Sequence, residues 1–155
     1  MEVEEYKLNA LLWNVNPRTH DIRVVEQKDN QGEQIDTFLT DNSAQLSING
    51  GFFEIDQERR LTPSGLLVSD GQTKHEKTEV GGSGIFYLVS NRVGIIKKDL
   101  YNEPNRFFQQ ALQAGPMLID PGPKMGIYTN DFNGLNRSAI CLRGNIVTFL
   151  SLIHI

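Results

Sequence analysis

Cysteine occurs once, at Cys141. A single thiol forms no internal disulfide and builds no zinc site. Its neighbours Ala139, Ile140 and Leu142 are those of a strand, so the thiol reads as buried and structural. The histidines His20, His75 and His154 stand in unrelated surroundings, and neither a metal nor a cofactor is expected. No Lys/Arg cluster occurs and the net charge is −4, which argues against nucleic acid or an anionic membrane as partner. No apolar run approaches the ~18 residues of a membrane-spanning helix, so membrane insertion is not expected. The start, MEVEEYK, lacks the basic and apolar regions of an export signal. P-loop, HExxH, CxxC and GxSxG patterns are all missing, which removes the common nucleotide, zinc and serine-hydrolase sites.

What is present is an ordinary globular composition. The 155 residues suffice for one domain with a sizeable core, and the 39% hydrophobic and 22% charged content is not that of a disordered chain. Short β-branched and aromatic runs alternate with turn residues. Residues 6–15 read as a strand, 16–19 as a turn, and 20–26 (HDIRVVE) as the returning strand of a hairpin. AQLSIN at 44–49 reads as a strand, and LLVSDGQ at 66–72 as a strand entering an Asp70-Gly71 turn. Residues 72–80 read as an exposed polar stretch, and GGSG at 81–84 as a flexible turn, since no helix follows it to make a phosphate loop.

IFYLVSNRVGII at 85–96 reads as two strands, MLID at 117–120 as a short one, and 138–153 as a closing hairpin over Arg143-Gly144-Asn145. The one helix expected spans 104–114, where Phe107, Phe108, Ala111 and Leu112 recur at helical spacing and point inward. The sum is an α+β fold, a β-rich single domain of mixed, mostly antiparallel sheets with one short helix. The last strand runs into residue 155 with no polar close, so the chain is expected to be truncated.

SINGGFF at 47–53 sets a sharper question, because adjacent glycines rarely sit in a strand and adjacent phenylalanines rarely sit at a loop tip. Three further stretches share its character: PSGLL at 63–67, QAGPML at 113–118 and NRSAI at 136–140. Each places small or polar residues at the border of an apolar strand, where backbone amides can face a ligand. Arg137 leads into its strand, and a guanidinium there can hold a phosphate through two parallel hydrogen bonds. Glycines that only turn the chain, and an Arg137 that only pairs with a surface carboxylate, are the alternatives for each stretch alone.

Together and in order, the stretches NGGFF, PSGLLVSDG, QAGPMLID and NRSAIC resemble the phosphodiester glycosidase family, most closely its bacterial branch. That family includes the animal enzyme that uncovers mannose 6-phosphate by removing N-acetylglucosamine from a phosphodiester. The resemblance covers about residues 6–150. It implies hydrolysis of a sugar-1-phosphodiester or related glycoside, with a small carbohydrate or sugar phosphate as ligand. Asn49 and Arg137 would then be catalytic, Arg137 stabilising the phosphate. Gly50, Gly51, Phe52, Gly65, Gln113 and Gly115 would bind substrate, with the Asn-Gly-Gly turn lining the pocket and the phenylalanines packed beneath it. Family members act mostly outside the cytoplasm, which implies an exported parent protein. Two departures stand out: Cys141 replaces a common glycine, and a further Asp-Gly-Gly-Gly-Ser-like block carrying an acidic residue is missing. The other reading is therefore a glycan or cell-envelope polymer binding module without turnover. The oligomeric state stays open.

Overall fold

The structure, a computed structural model, describes residues 9–27, 32–102, 107–127 and 137–153. Two antiparallel sheets carry it. The larger is built from β4 (Leu67–Ser69), β5 (Gln72–His75), β6 (Gly84–Val89), β7 (Arg92–Lys97) and β8 (Gln110–Ala114), in the order β5-β4-β8-β6-β7. The smaller combines β1 (Asn9–Val15), β11 (Arg137–Arg143) and β12 (Ile146–Ile153), with β12 central. Two small hairpins, β2 (Phe53–Ile55) with β3 (Leu61–Pro63) and β9 (Ile119–Asp120) with β10 (Lys124–Met125), complete the strands.

Turn chemistry sets the registers. Asp70 and Gly71 have φ of 50° and 76°, and Ser90 and Asn91 have 47° and 61°. Positive φ at both central residues gives two-residue turns whose twist matches that of the flanking strands. They join β4 to β5 and β6 to β7. Gly144, at φ 61°, opens the turn between β11 and β12.

The expected helix over 104–114 is corrected. Residues 103–106 lie outside the described set, and Gln110–Ala114 is the central strand β8, between β4 and β6. A strand covered on both faces buries consecutive residues, and over so short a run this mimics a helical stripe. Phe108 and Ala111 do enter the core, but Phe107 is 86% exposed. The helix that forms is α1 (Ile35–Asp41), which buries none of its residues. Two expected strands, over 20–26 and 44–49, are also not formed. β1 takes β12 as its partner instead, Trp13 opposite Phe149, and 20–26 pairs with neither β1 nor any other strand. It crosses to the other sheet, where the Val24 N–H donates to Gln110 Oε1 at 2.9 Å.

The larger sheet has a core on each face because β6 alternates sides. Ile85 joins Leu66, Val68, Ala111, Tyr101 and Phe108 on one face, with the Tyr87 and Phe108 rings stacked at 4.7 Å. Phe86 joins Ile22 and Val147 on the other, under the smaller sheet, where Ile140, Leu142 and Phe149 also pack. Alternation along β11 therefore turns Ala139 and Cys141 away from the core, and Cys141 is exposed rather than buried. At one end the sheets are pinned together. Asn145 Oδ1 accepts from the Val93 N–H at 3.3 Å, and its Nδ2 donates to the Asn91 carbonyl at 3.2 Å.

Candidate functional site

The glycine-bordered stretches gather at the C-terminal end of β8, and Gln113 joins them. Its main-chain N–H donates to the Leu66 carbonyl at 2.8 Å. The residue is 1% exposed and its carboxamide is fully used. Oε1 accepts from the N–H groups of Leu66 at 3.0 Å and Thr78 at 3.1 Å. Nε2 donates to the carbonyls of Thr78 at 2.7 Å and Gly82 at 2.8 Å. Two acceptor and two donor sites are the whole capacity of a glutamine. This amide has therefore nothing left to offer a ligand.

Asn49 is the opposite case. Among the described residues its side chain makes no hydrogen bond, and the main-chain N–H groups of Asn49, Gly50 and Gly51 find no acceptor. Asn49 and Gly50 are exposed. The glycines are explained by the strand beneath them. A Cβ on Gly51 would lie 2.5 Å from the Gln113 carbonyl oxygen, and one on Gly50 3.0 Å from Leu112 Cδ2. The close approach that only glycine allows is thus made to the protein's own backbone. The phenylalanines do not pack beneath the turn: Phe52 and Phe53 are 51% and 58% exposed. Phe53 is placed opposite Pro63 by the β2–β3 hairpin, and the Phe52 carbonyl accepts the Ser64 N–H at 2.9 Å.

The tip of that hairpin is tied by Asp56. Oδ1 accepts from the N–H groups of Glu58 at 2.8 Å and Arg60 at 2.9 Å, and Oδ2 accepts from Arg60 Nε at 2.7 Å. The Arg60 main-chain N–H first, and its side chain second, hold the Asp56 carboxyl below its ordinary pKa. A depressed folded pKa means that this tie is fully present above the unfolded carboxylate value and is lost as pH falls through the folded one. An NMR titration is expected to find the Asp56 midpoint below that of an unfolded peptide. In Arg60→Ala it should return only partway, because the main-chain donor survives.

Gly65 and Gly115 belong to the same junction. A Cβ on Gly65 would meet Gln113 Oε1 at 2.8 Å and Gly81 Cα at 2.9 Å, and one on Gly115 would meet the Ser83 nitrogen at 2.7 Å. Sequence reading missed what stands opposite them. The polar tract, read as exposed, and the GGSG stretch, read as a flexible turn, are partly built in: Gly81 and Gly84 are buried. The Thr78 hydroxyl donates to the Ser64 carbonyl and accepts the Gly81 N–H at 3.0 Å. His75 Nδ1 lies 3.0 Å from two acceptors, the Gly65 and Glu76 carbonyls, so that nitrogen carries the hydrogen. Ser83 Oγ accepts the Met117 N–H at 2.9 Å. The signal for these partners is only the excess of small and hydroxylic residues.

Arg137 stands apart from this group, on the smaller sheet. It is exposed and opens β11 opposite Leu152. Alternation puts it on the side of Ala139 and Cys141, away from the core. Arg137 and the glycine junction each lie at the end of their sheet opposite the Asn145 pin. Asp120, a carboxylate of the QAGPMLID stretch, pairs with Lys97 at 2.5 Å.

Among the described residues no cluster of His, Cys, Asp and Glu is arranged to hold a metal, and no helix is long and apolar enough to cross a membrane. Two surface depressions, one lined by Glu76, Lys77, Tyr101 and Asn102 and one between residues 17–22 and Asn91, contain no residue of the four stretches. Comparison with curated proteins and with solved structures gives no match. The family model described as phosphodiester glycosidase matches residues 42–153, well over half of the chain and all four stretches. The chain belongs to the phosphodiester glycosidase family.

Proposed function

We propose that the domain binds a sugar-1-phosphodiester or related glycoside at the glycine junction and serves its hydrolysis, in an exported parent protein. The observation that carries this is the unspent set of donors at 49–51: one exposed carboxamide and three main-chain N–H groups, held in place by β8. Amides left free in one exposed turn suit the oxygens of a phosphate or a leaving alkoxide. Asn49, Gly50 and Gly51 contact the ligand, the exposed Phe52 ring borders it, and Gly65 and Gly115 keep neighbouring turns close. Arg137 holds the phosphate from the smaller sheet.

A second reading, binding without turnover, is favoured by the state of Asp120, the carboxylate of the QAGPMLID stretch. Glycosidic cleavage ordinarily uses a pair of carboxylates, yet Asp120 is engaged by Lys97. The catalytic acid is accordingly assigned to no residue of the four stretches. The deciding assay offers this chain a methyl phosphodiester of N-acetylglucosamine 1-phosphate and follows both binding, by NMR shifts at 49–51, and release of free sugar. Binding with little release is expected from this chain. Substantial release would place an acid within residues 1–155, and absence of binding would dismiss the site itself.

A further inference from the structure

We propose that Thr78 and Gln113 are positioning residues that set the spacing of the turns at 49–52, 64–65 and 81–83, and so govern ligand affinity without touching the ligand. The inference rests on the reading of 49–51 as the ligand's donors. It begins from an imbalance. The turns around β8 are short of regular ladder bonds, and two side chains supply what the ladder does not. Gln113 reaches the carbonyl of Gly82 and the N–H of Leu66, on opposite sides of the gap between Gly65 and Gly81. Thr78 closes the same gap through one hydroxyl, donating to the Ser64 carbonyl and accepting from the Gly81 N–H. Gln113 also fixes Thr78 itself, taking both its N–H and its carbonyl. The two side chains form one connected polar unit, and no buried side-chain polar atom among the described residues is left over.

The route to the ligand donors is short. Ser64, held by Thr78 at its carbonyl, donates its N–H to the Phe52 carbonyl, next to Gly51. Ser83, beside the Gly82 carbonyl that Gln113 holds, accepts the Met117 N–H. A change in the unit therefore reaches two hydrogen bonds in which neither Thr78 nor Gln113 takes part.

Those two bonds make the test. Thr78→Val keeps the shape and removes the hydroxyl, whereas Thr78→Ser keeps the hydroxyl. Amide exchange is followed at Ser64 and Met117, with the Tyr87 amide of the interior strand β6, in a hydrogen-bonded pair with Gly94, reporting global opening. In Thr78→Val, exchange at Ser64 and Met117 is expected to speed up about 10- to 100-fold beyond any change at Tyr87, the scale of a lost buried hydrogen bond. Thr78→Ser should restore the wild-type rates. If only Gly81, whose acceptor was deleted, exchanges faster, or if all amides speed up together, the positioning role is wrong. Thr78→Ala serves the same purpose should the valine not fold. With the same methyl phosphodiester as probe, Thr78→Val is expected to bind at least about tenfold more weakly, and Thr78→Ser like wild type. Equal binding by Thr78→Val would also overturn the proposal. A wild-type chain that binds no probe would instead remove the assigned function, and the exchange pattern would still decide whether the turns are coupled.

Discussion

Gln113→Leu is expected to remove about 4 kcal/mol of stability, or to abolish folding, although leucine fills much of the same space. The change strips the partner from four groups at once: the N–H of Leu66, the N–H and carbonyl of Thr78, and the carbonyl of Gly82. Each buried group left unpaired costs about 1–3 kcal/mol. The costs do not add fully, because the groups share one unit and the 78–82 turn can swing toward water. An effect of about 4 kcal/mol stands among the largest that single substitutions produce, and a broken buried network is one of its few causes. Urea unfolding measures it. A loss below about 1 kcal/mol would mean that these turns rehydrate freely and that the buried amide holds little together.

The second large effect concerns the proposed chemistry. In whatever length of this protein releases sugar, Arg137→Ala is expected to cost about 2–5 kcal/mol in kcat/KM, the range for truncating one partner of a buried charged contact. Arg137→Lys should recover part of this, since an ammonium supplies charge without the planar fork. The expectation makes a geometric demand. Arg137 sits on the outward side of β11, so a ligand that it shares with Asn49 must lie across the open end of the smaller sheet. Unchanged kcat/KM in Arg137→Ala would confine the site to the glycine junction.

The hairpins were legible in the sequence because their information is local. Asp70-Gly71, the Asn91 turn and Gly144 announce their strands through backbone preferences acting over a few residues. The failures share a different cause. Residues 20–26 have strand composition, but β1 pairs with β12, more than a hundred positions away, and 20–26 meets the larger sheet through a side chain instead, the Val24 N–H donating to Gln110 Oε1. Gln110–Ala114 failed because burial on both faces erases the period that separates strand from helix. At the site, 49–51, 63–65 and 113–115 gather around β8, whereas Arg137 of the fourth stretch opens a strand of the smaller sheet. The saturation of Gln113 was not legible, since which amide is spent depends on Thr78 and Gly82, and nothing local to residue 113 shows it. Cys141 illustrates the same limit, for its strand was correct and its side of the strand was not.

The contact between Gly51 and β8 has a consequence for how the protein tolerates change. The atom that would obstruct a Cβ at position 51 is the carbonyl oxygen of residue 113. Every amino acid carries that oxygen, so no replacement at 113 makes room. At Gly50 the obstacle is the Leu112 side chain, and a smaller residue at 112 would admit alanine there. A search for second-site suppressors should therefore divide the two neighbours: defects at 50 are rescued by trimming 112, whereas defects at 51 revert to glycine or are lost.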